Sequence, residues 1–191
     1  MIPNRAEPSI AGKWGIYRPM QELGDYLVDH GVLGADDAAR VREAATLSGE
    51  PIHIVASKLG LAAEDGLADA VASFFQLDRI GRAEFPQAAI LPERFKEAFL
   101  RSARVLPVEE TEDSLILAAA DPMNETAIKS IGFAIDKKVE LKVAAISDID
   151  VGIEQLYRAL QEETVETNGA LGSTDLERLL ELAAVSIILF T

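Results

Sequence analysis

The chain has 191 residues, 49% of them apolar, enough for one large domain or two small ones with a real core. Its 32 acidic and 18 basic residues give a formal charge of −14, and no run of Lys or Arg offers a footprint for nucleic acid or an anionic membrane surface. Cysteine is absent, which excludes disulfides, thiol nucleophiles and Cys-ligated metal centres and fits a reducing cytoplasm.

Residues 1–20 carry Pro3, Pro8, Gly12, Gly15 and Pro19 with no helical or alternating period, the pattern of a mobile leader. A helical unit is expected over 21–78, built from four short helices. Leu23 and Leu27 lie one turn apart before a stop at Gly31, and Ala38, Val41 and Ala45 form the second stripe. Ile52, Val55 and Leu59 share a third face before Gly60, and Leu67, Ala70, Val71 and Phe74 a fourth. Helices this short must pack on one another. The unit also reads as a duplication: Leu23-Gly24-x-x-Leu27-Val28-x-x-Gly31-Val32-Leu33 is matched 29 positions on by Ile52-His53-x-x-Ala56-Ser57-x-x-Gly60-Leu61-Ala62. Two helical hairpins follow.

Residues 79–160 form a second, α/β unit. Arg79 to Pro92 reads as a connector, and Phe95 and Phe99 mark a short helix. Val105 to Val108 and Ser114 to Ala120 are strand-length apolar runs joined by an acidic turn, a hairpin. Asp121-Pro122 has the form of a cap with proline at the first helical position, and Ile128, Ile131 and Ile135 continue the stripe. Lys138 to Val143 alternates charged and apolar residues, so Val139, Leu141 and Val143 are expected to face the core. Ser147-x-x-Asp150 resembles a capping box before Ile149, Ile153, Leu156, Tyr157 and Leu160. The fold class is thus α+β, a four-helix N-terminal unit followed by a small α/β sandwich. Residues 161–173 read as an acidic linker, and 174–191 as a helix with the stripe Leu176, Leu179, Leu180 and Ala183, leading toward a following domain. The apolar run from Val185 to Phe190 is shorter than the ~20 residues of a spanning helix.

Chemistry-bearing motifs are scarce. Nothing matches G-x-x-x-x-G-K-S/T, G-x-G-x-x-G after a strand, or G-x-S-x-G, so the phosphate-loop, dinucleotide and hydrolase signatures all fail. His30 and His53 lack metal-ligand spacing, and no metal is expected. The acidic pairs Asp36 with Asp37, Glu64 with Asp65 and Asp148 with Asp150 sit at helix starts, where carboxylates meet the positive end of the dipole. Trp14 and Tyr17, between Lys13 and Arg18, are of the residue types that anchor on a partner surface.

The duplicated motif, the run Arg104-Val105-Leu106-Pro107-Val108, Leu115 to Ala120, Asp121-Pro122 and the closing Ser147 to Tyr157 together resemble a known family. That family is the N-terminal domain of type II secretion and type IV pilus assembly ATPases, also called the MshE N-terminal-like domain, and the resemblance covers roughly residues 21–160. It implies a bacterial, non-catalytic adaptor that ties a motor to the cytoplasmic domain of an inner-membrane platform protein. The ATPase activity belongs to a separate C-terminal domain of the parent motor. It also implies a cytoplasmic location at the inner-membrane face.

Some relatives bind cyclic di-GMP through two Arg-Leu-Gly…Gly…Gln motifs, which makes a cyclic di-GMP-sensing regulatory domain, fused to or controlling a glycosyltransferase or another enzyme, the alternative reading. Of those motif positions Leu23, Gly24, Gly31 and Gly60 are retained. The arginine positions hold Glu22 and Pro51 and the glutamine positions Ala45 and Phe74. A carboxylate beside a dianionic ligand on so acidic a chain repels it, so no cofactor is expected.

Overall fold

The computed structural model describes residues 18–162, with side chains from Glu22 onward. Residues 1–17 of the expected leader, with Trp14 and Tyr17, and the expected final helix lie outside the described residues; residues 18–20, expected in the leader, and 161–162, expected in the linker, are helical instead. The helical elements come first: α1 (Arg18–Asp29), α2 (Ala35–Ser48), α3 (Ile52–Lys58) and α4 (Glu64–Phe75). Then follow β1 (Asp78–Arg79), a short 3-10 turn (Arg82–Glu84), α5 (Glu97–Ala103), β2 (Val105–Glu110), β3 (Ser114–Ala119), α6 (Glu125–Ile135), β4 (Lys138–Val143) and α7 from residue 146 through at least 162. The fold is α+β, a helical N-terminal region followed by a small mixed sheet.

The sheet runs in the order β1-β4-β3-β2. β2 and β3 form the expected antiparallel hairpin, β3 and β4 are parallel through the α6 crossover, and β1 adds in parallel to β4. Two residues long, β1 falls where the sequence suggests only a connector, because so short an edge strand carries no alternation to read. β2 is the opposite edge and bulges at Val108, its register slipping between Pro107 and Glu109. A proline costs little there, since an edge strand has N–H groups with no ladder partner. Val143 is fully buried, and Val139 and Leu141 pack partly buried against the core as the alternation predicts.

Three local expectations are corrected. Asp121 does not cap α6: its Oδ1 accepts from the Met123 N–H at 3.0 Å in a turn, and Asn124 is the cap, accepting from the Ala127 N–H at 3.2 Å. An Asx turn competes for the cap role that the Asp-Pro pair suggests. Ser147 lies inside α7, and its N–H donates to Glu64 Oε2 at 3.1 Å, so a carboxylate from another helix does the capping. Leu59 leaves the α3 stripe and is 52% exposed, because the helix ends at Lys58.

Two hydrophobic clusters hold these elements. One joins the sheet to α5, α6 and α7 through Leu100, Leu106, Leu115, Leu117, Ile131 and Ile149. The other joins α1 to α4 through Leu23, Leu27, Val41, Ile52, Leu67 and Val71. Each holds residues from the other's elements: Ile54 of α3 lies in the sheet cluster, while Val143 and Ala145 lie in the helical one. The two cores interlock through α3.

Candidate functional site

The duplication survives in the backbone. At the end of α1 the Gly31 N–H donates to Val28 O and the Val32 N–H to Leu27 O; at the end of α3, 29 positions on, Gly60 donates to Ser57 O and Leu61 to Ala56 O. These are paired Schellman stops, and Gly31 and Gly60 take φ of +68 and +65, a left-handed conformation in which a side chain is strained. Both glycines face open space, so their requirement is conformational. Leu23 is buried in the helical core. Gly24 lets α1 approach its neighbours: a Cβ there would stand 2.7 Å from Ile52 Cδ1 and 3.3 Å from Arg42 Nε. Each retained motif position therefore has a folding role, and neither described cavity is lined by any of the four.

The replaced positions read the same way. Ala45 is buried in the core, Pro51 stands at the N-cap position of α3 without a side-chain hydrogen bond, and the half-buried Phe74 ring meets Tyr26 edge-on at 5.3 Å. Tyr26 in turn stacks on His30 at 3.8 Å. Glu22 is exposed.

The chemistry-bearing side chains instead gather where α3 and α4 meet the carboxyl ends of β3 and β4. In an open α/β sheet that end is the usual ligand crevice, and here the second hairpin fills it. His53, 4% exposed, donates from Nε2 to Ala120 O at 3.0 Å, with Asp121 Oδ1 at 4.0 Å. Its Nδ1 has no hydrogen-bond partner. That pairing keeps the ring in the Nε2–H tautomer. Burial, reinforced by the Arg104 charge and opposed by the Asp121 carboxylate and the Ala120 carbonyl, holds the imidazole pKa below its ordinary value. Beside it lies a cavity of about 10 Å³ lined in part by His53, Ser57, Glu64 and Ala120, with room for one water at most.

Three further polar links cross the same junction. Arg104, held in the left-handed region at φ 54, donates from Nη2 to Glu50 Oε1 at 2.8 Å, and Lys58 donates to both oxygens of that carboxylate. Hydrogen bonds from Lys58 and Arg104 lower the Glu50 pKa. Glu64 accepts from Ser57 Oγ and from the Ser147 N–H; burial pushes its pKa up, but those hydrogen bonds outweigh it and the net shift is down. Arg79 of β1 pairs with Asp65 at 3.0 Å, Asp69 at 3.4 Å and Asp148 at 3.9 Å. The Arg104–Glu50 and Arg79–Asp148 pairs are not legible in the sequence, since each spans elements distant along the chain. Asp148 and Asp150, read as helix-start carboxylates, also pair with Arg82 and Arg101.

Among the described residues no group of three His, Asp or Glu side chains is placed to hold a metal, and no helix is long and apolar enough to cross a membrane. A groove of about 640 Å³ opens between residues 82–87 and α7, lined by Arg82, Phe85, Pro86, Gln87, Gln155 and Leu156.

Comparison with known proteins places this architecture. The chain is 30% identical over 159 residues to type II secretion system protein E of Xanthomonas campestris pv. campestris, an alignment covering 78% of this chain and 28% of the relative. The chain thus spans about 28% of that curated relative's length. Among solved structures, the N-terminal domain of XpsE matches in two crystal forms, one with 24% identity and a TM-score of 0.63 over 72% of this chain and 94% of that one. The other has 27% identity and a TM-score of 0.52 over 72% and 95%. The structure of MshE with cdg matches at 22% identity and a TM-score of 0.54 over 71% and 98%, a likeness of fold. Residues 75–163 match the MshEN domain model, from the last residue of α4 through the sheet unit and α7. The chain is thus similar to type II secretion system protein E and to the N-terminal domain of XpsE, and its residues 75–163 resemble the MshEN domain.

Proposed function

We propose that this chain is a non-catalytic docking domain of a type II secretion or type IV pilus motor, linking a C-terminal ATPase domain of the parent protein to the cytoplasmic domain of an inner-membrane platform protein. The observation that carries this reading is the similarity to protein E of a type II secretion system, which takes in most of this chain and only 28% of the relative. A segment of a larger machine that carries no phosphate loop is suited to holding its motor in place. The domain would work in the cytoplasm, recruited to the inner-membrane face. Trp14 and Tyr17 are the proposed anchors, since aromatic side chains dominate interface energetics.

A cyclic di-GMP sensor is the second reading, supported by the likeness of fold to MshE with cdg. The side chains argue against it. Glu22 brings negative charge where a dianion would need an arginine, and Leu23 and Gly24 are occupied in packing.

Calorimetric titration of the 191-residue chain with the platform protein's purified cytoplasmic domain tests the proposal. Saturable binding, weakened at least tenfold on deleting residues 1–20 while the melting temperature holds, is the expected result. Absence of binding overturns the adaptor reading. Unchanged affinity in the deletion moves the contact from the aromatic anchors to the body, where the sheet face of Lys138, Glu140 and Lys142 is the next candidate.

A further inference from the structure

The groove along α7 has a built floor. Gly152 has no Cβ, and one placed there would lie 2.8 Å from Phe85 Cδ2 and 3.0 Å from Leu106 Cδ2. The missing methyl lets the Phe85 ring lie directly on the helix. Phe85, Pro86 and Leu156 then present apolar surface, Gln87 and Gln155 supply polar groups, and Arg82 adds a half-exposed guanidinium already shared with Asp148. A concave groove of about 640 Å³ with this lining suits one face of an amphipathic helix.

The chain itself carries such a segment a short distance away. Thr174 to Leu182 holds Leu176, Leu179 and Leu180 at helical spacing, continued by Ala183, with Asp175, Glu177 and Glu181 among them. The stripe needs an apolar surface, and the carboxylates complement Arg82. Reach is not limiting. Gln155 lies seven residues before 162, roughly 10 Å back along α7. Residues 163–173 extend to about 36 Å if stretched, several times what an antiparallel return requires.

We propose that residues 174–184 dock as an amphipathic helix in the groove between residues 82–87 and α7, apolar stripe against Phe85 and Leu156, an intramolecular contact independent of any secretion partner.

Because the chain has no native cysteine, paired substitutions report the contact cleanly. Gln87→Cys with Ala183→Cys is compared with Thr46→Cys, on α2, with Ala183→Cys, under mild oxidation at low micromolar protein. The expected result is a monomeric disulfide forming roughly tenfold faster in the groove pair, as for groups held at high effective concentration. Adding Leu176→Asp and Leu180→Asp should abolish that advantage and raise amide exchange at residues 155 and 156 without unfolding α1 to α4. Equal rates in the two pairs overturn the proposal. So does a faster reaction that yields only disulfide-linked dimers, which would make the occupant a second copy. Unchanged exchange at residues 155 and 156 after the two aspartate substitutions contradicts it as well.

Discussion

The two helical hairpins begin from one motif and end in different places. In the first, α1 and α2 keep one buried stripe each, with Ala38, Val41 and Ala45 the buried residues of α2. In the second, α3 is buried at five consecutive positions, Ile52 to Ala56, which no amphipathic stripe allows. The cause is its place: α3 is covered by the first hairpin on one side and by the sheet on the other. Matched positions show the effect. Exposed Asp25 corresponds to Ile54, which is fully buried in the sheet core, and Gly24 corresponds to His53, which bonds the end of β3. Core volume is traded within pairs as well, Leu27 with Ala56 and Ala38 with Leu67. A duplicated backbone thus keeps its turns while side chains follow the burial that each copy meets.

Substitution at matched positions is the strongest way to break this comparison. Ile54→Ala should lose about 2–5 kcal/mol of stability, the range for emptying a well-packed aliphatic site. Asp25→Ala at the equivalent position should lose no more than about 1 kcal/mol, since it removes only an exposed ion pair with Arg42. Urea unfolding at neutral pH gives both values; similar losses would mean the copies are equally placed.

Next in size is a pH effect that arises in the second copy. The folded state lowers the His53 pKa, so the unfolded chain binds more protons as pH falls. The contribution is present above the ordinary histidine value of 6.5 and is lost as pH drops below it toward the folded value. The slope from this residue is at most about 1.4 kcal/mol per pH unit. His53→Gln keeps a donor for Ala120 O and should flatten stability between pH 6.5 and 5. An unaltered pH profile in His53→Gln would show that the ring is not the titrating element.

Where the copies share geometry they should share energetics. Gly31→Ala and Gly60→Ala should each cost about 1 kcal/mol, nearly equal, because both residues take the left-handed conformation with open space around them. A large inequality would indicate a contact at one turn beyond its backbone. The smallest effect is expected from Asp25→Asn, within about 0.5 kcal/mol in thermal melts and erased by added salt.

The hairpins, the strand hairpin and the alternation of β4 are all legible along the sequence, because each rests on a local period or a glycine stop. What escaped is non-local. The burial of Ile54 depends on the sheet behind it, and the capping of α7 depends on Glu64, 83 residues before Ser147. β1 exists because β4 offers an edge, and its two residues have no period of their own. The same holds for the candidate site. Leu23, Gly24, Gly31 and Gly60 can be picked out by spacing, but their tasks become visible only when Ile52, Arg42 and the left-handed turns surround them.

The central claim is that the second hairpin belongs energetically to the sheet and the first to its periphery. Native-state hydrogen exchange resolved by residue tests it directly, since amide protection ranks segments by opening free energy. Amides of α3 and α4 should exchange only through global unfolding, with the same free energy as those of β3, while α2 opens at a distinctly lower cost. Exchange of α2, α3 and α4 together, well below β3, would contradict the account by making the four helices one unit separable from the sheet.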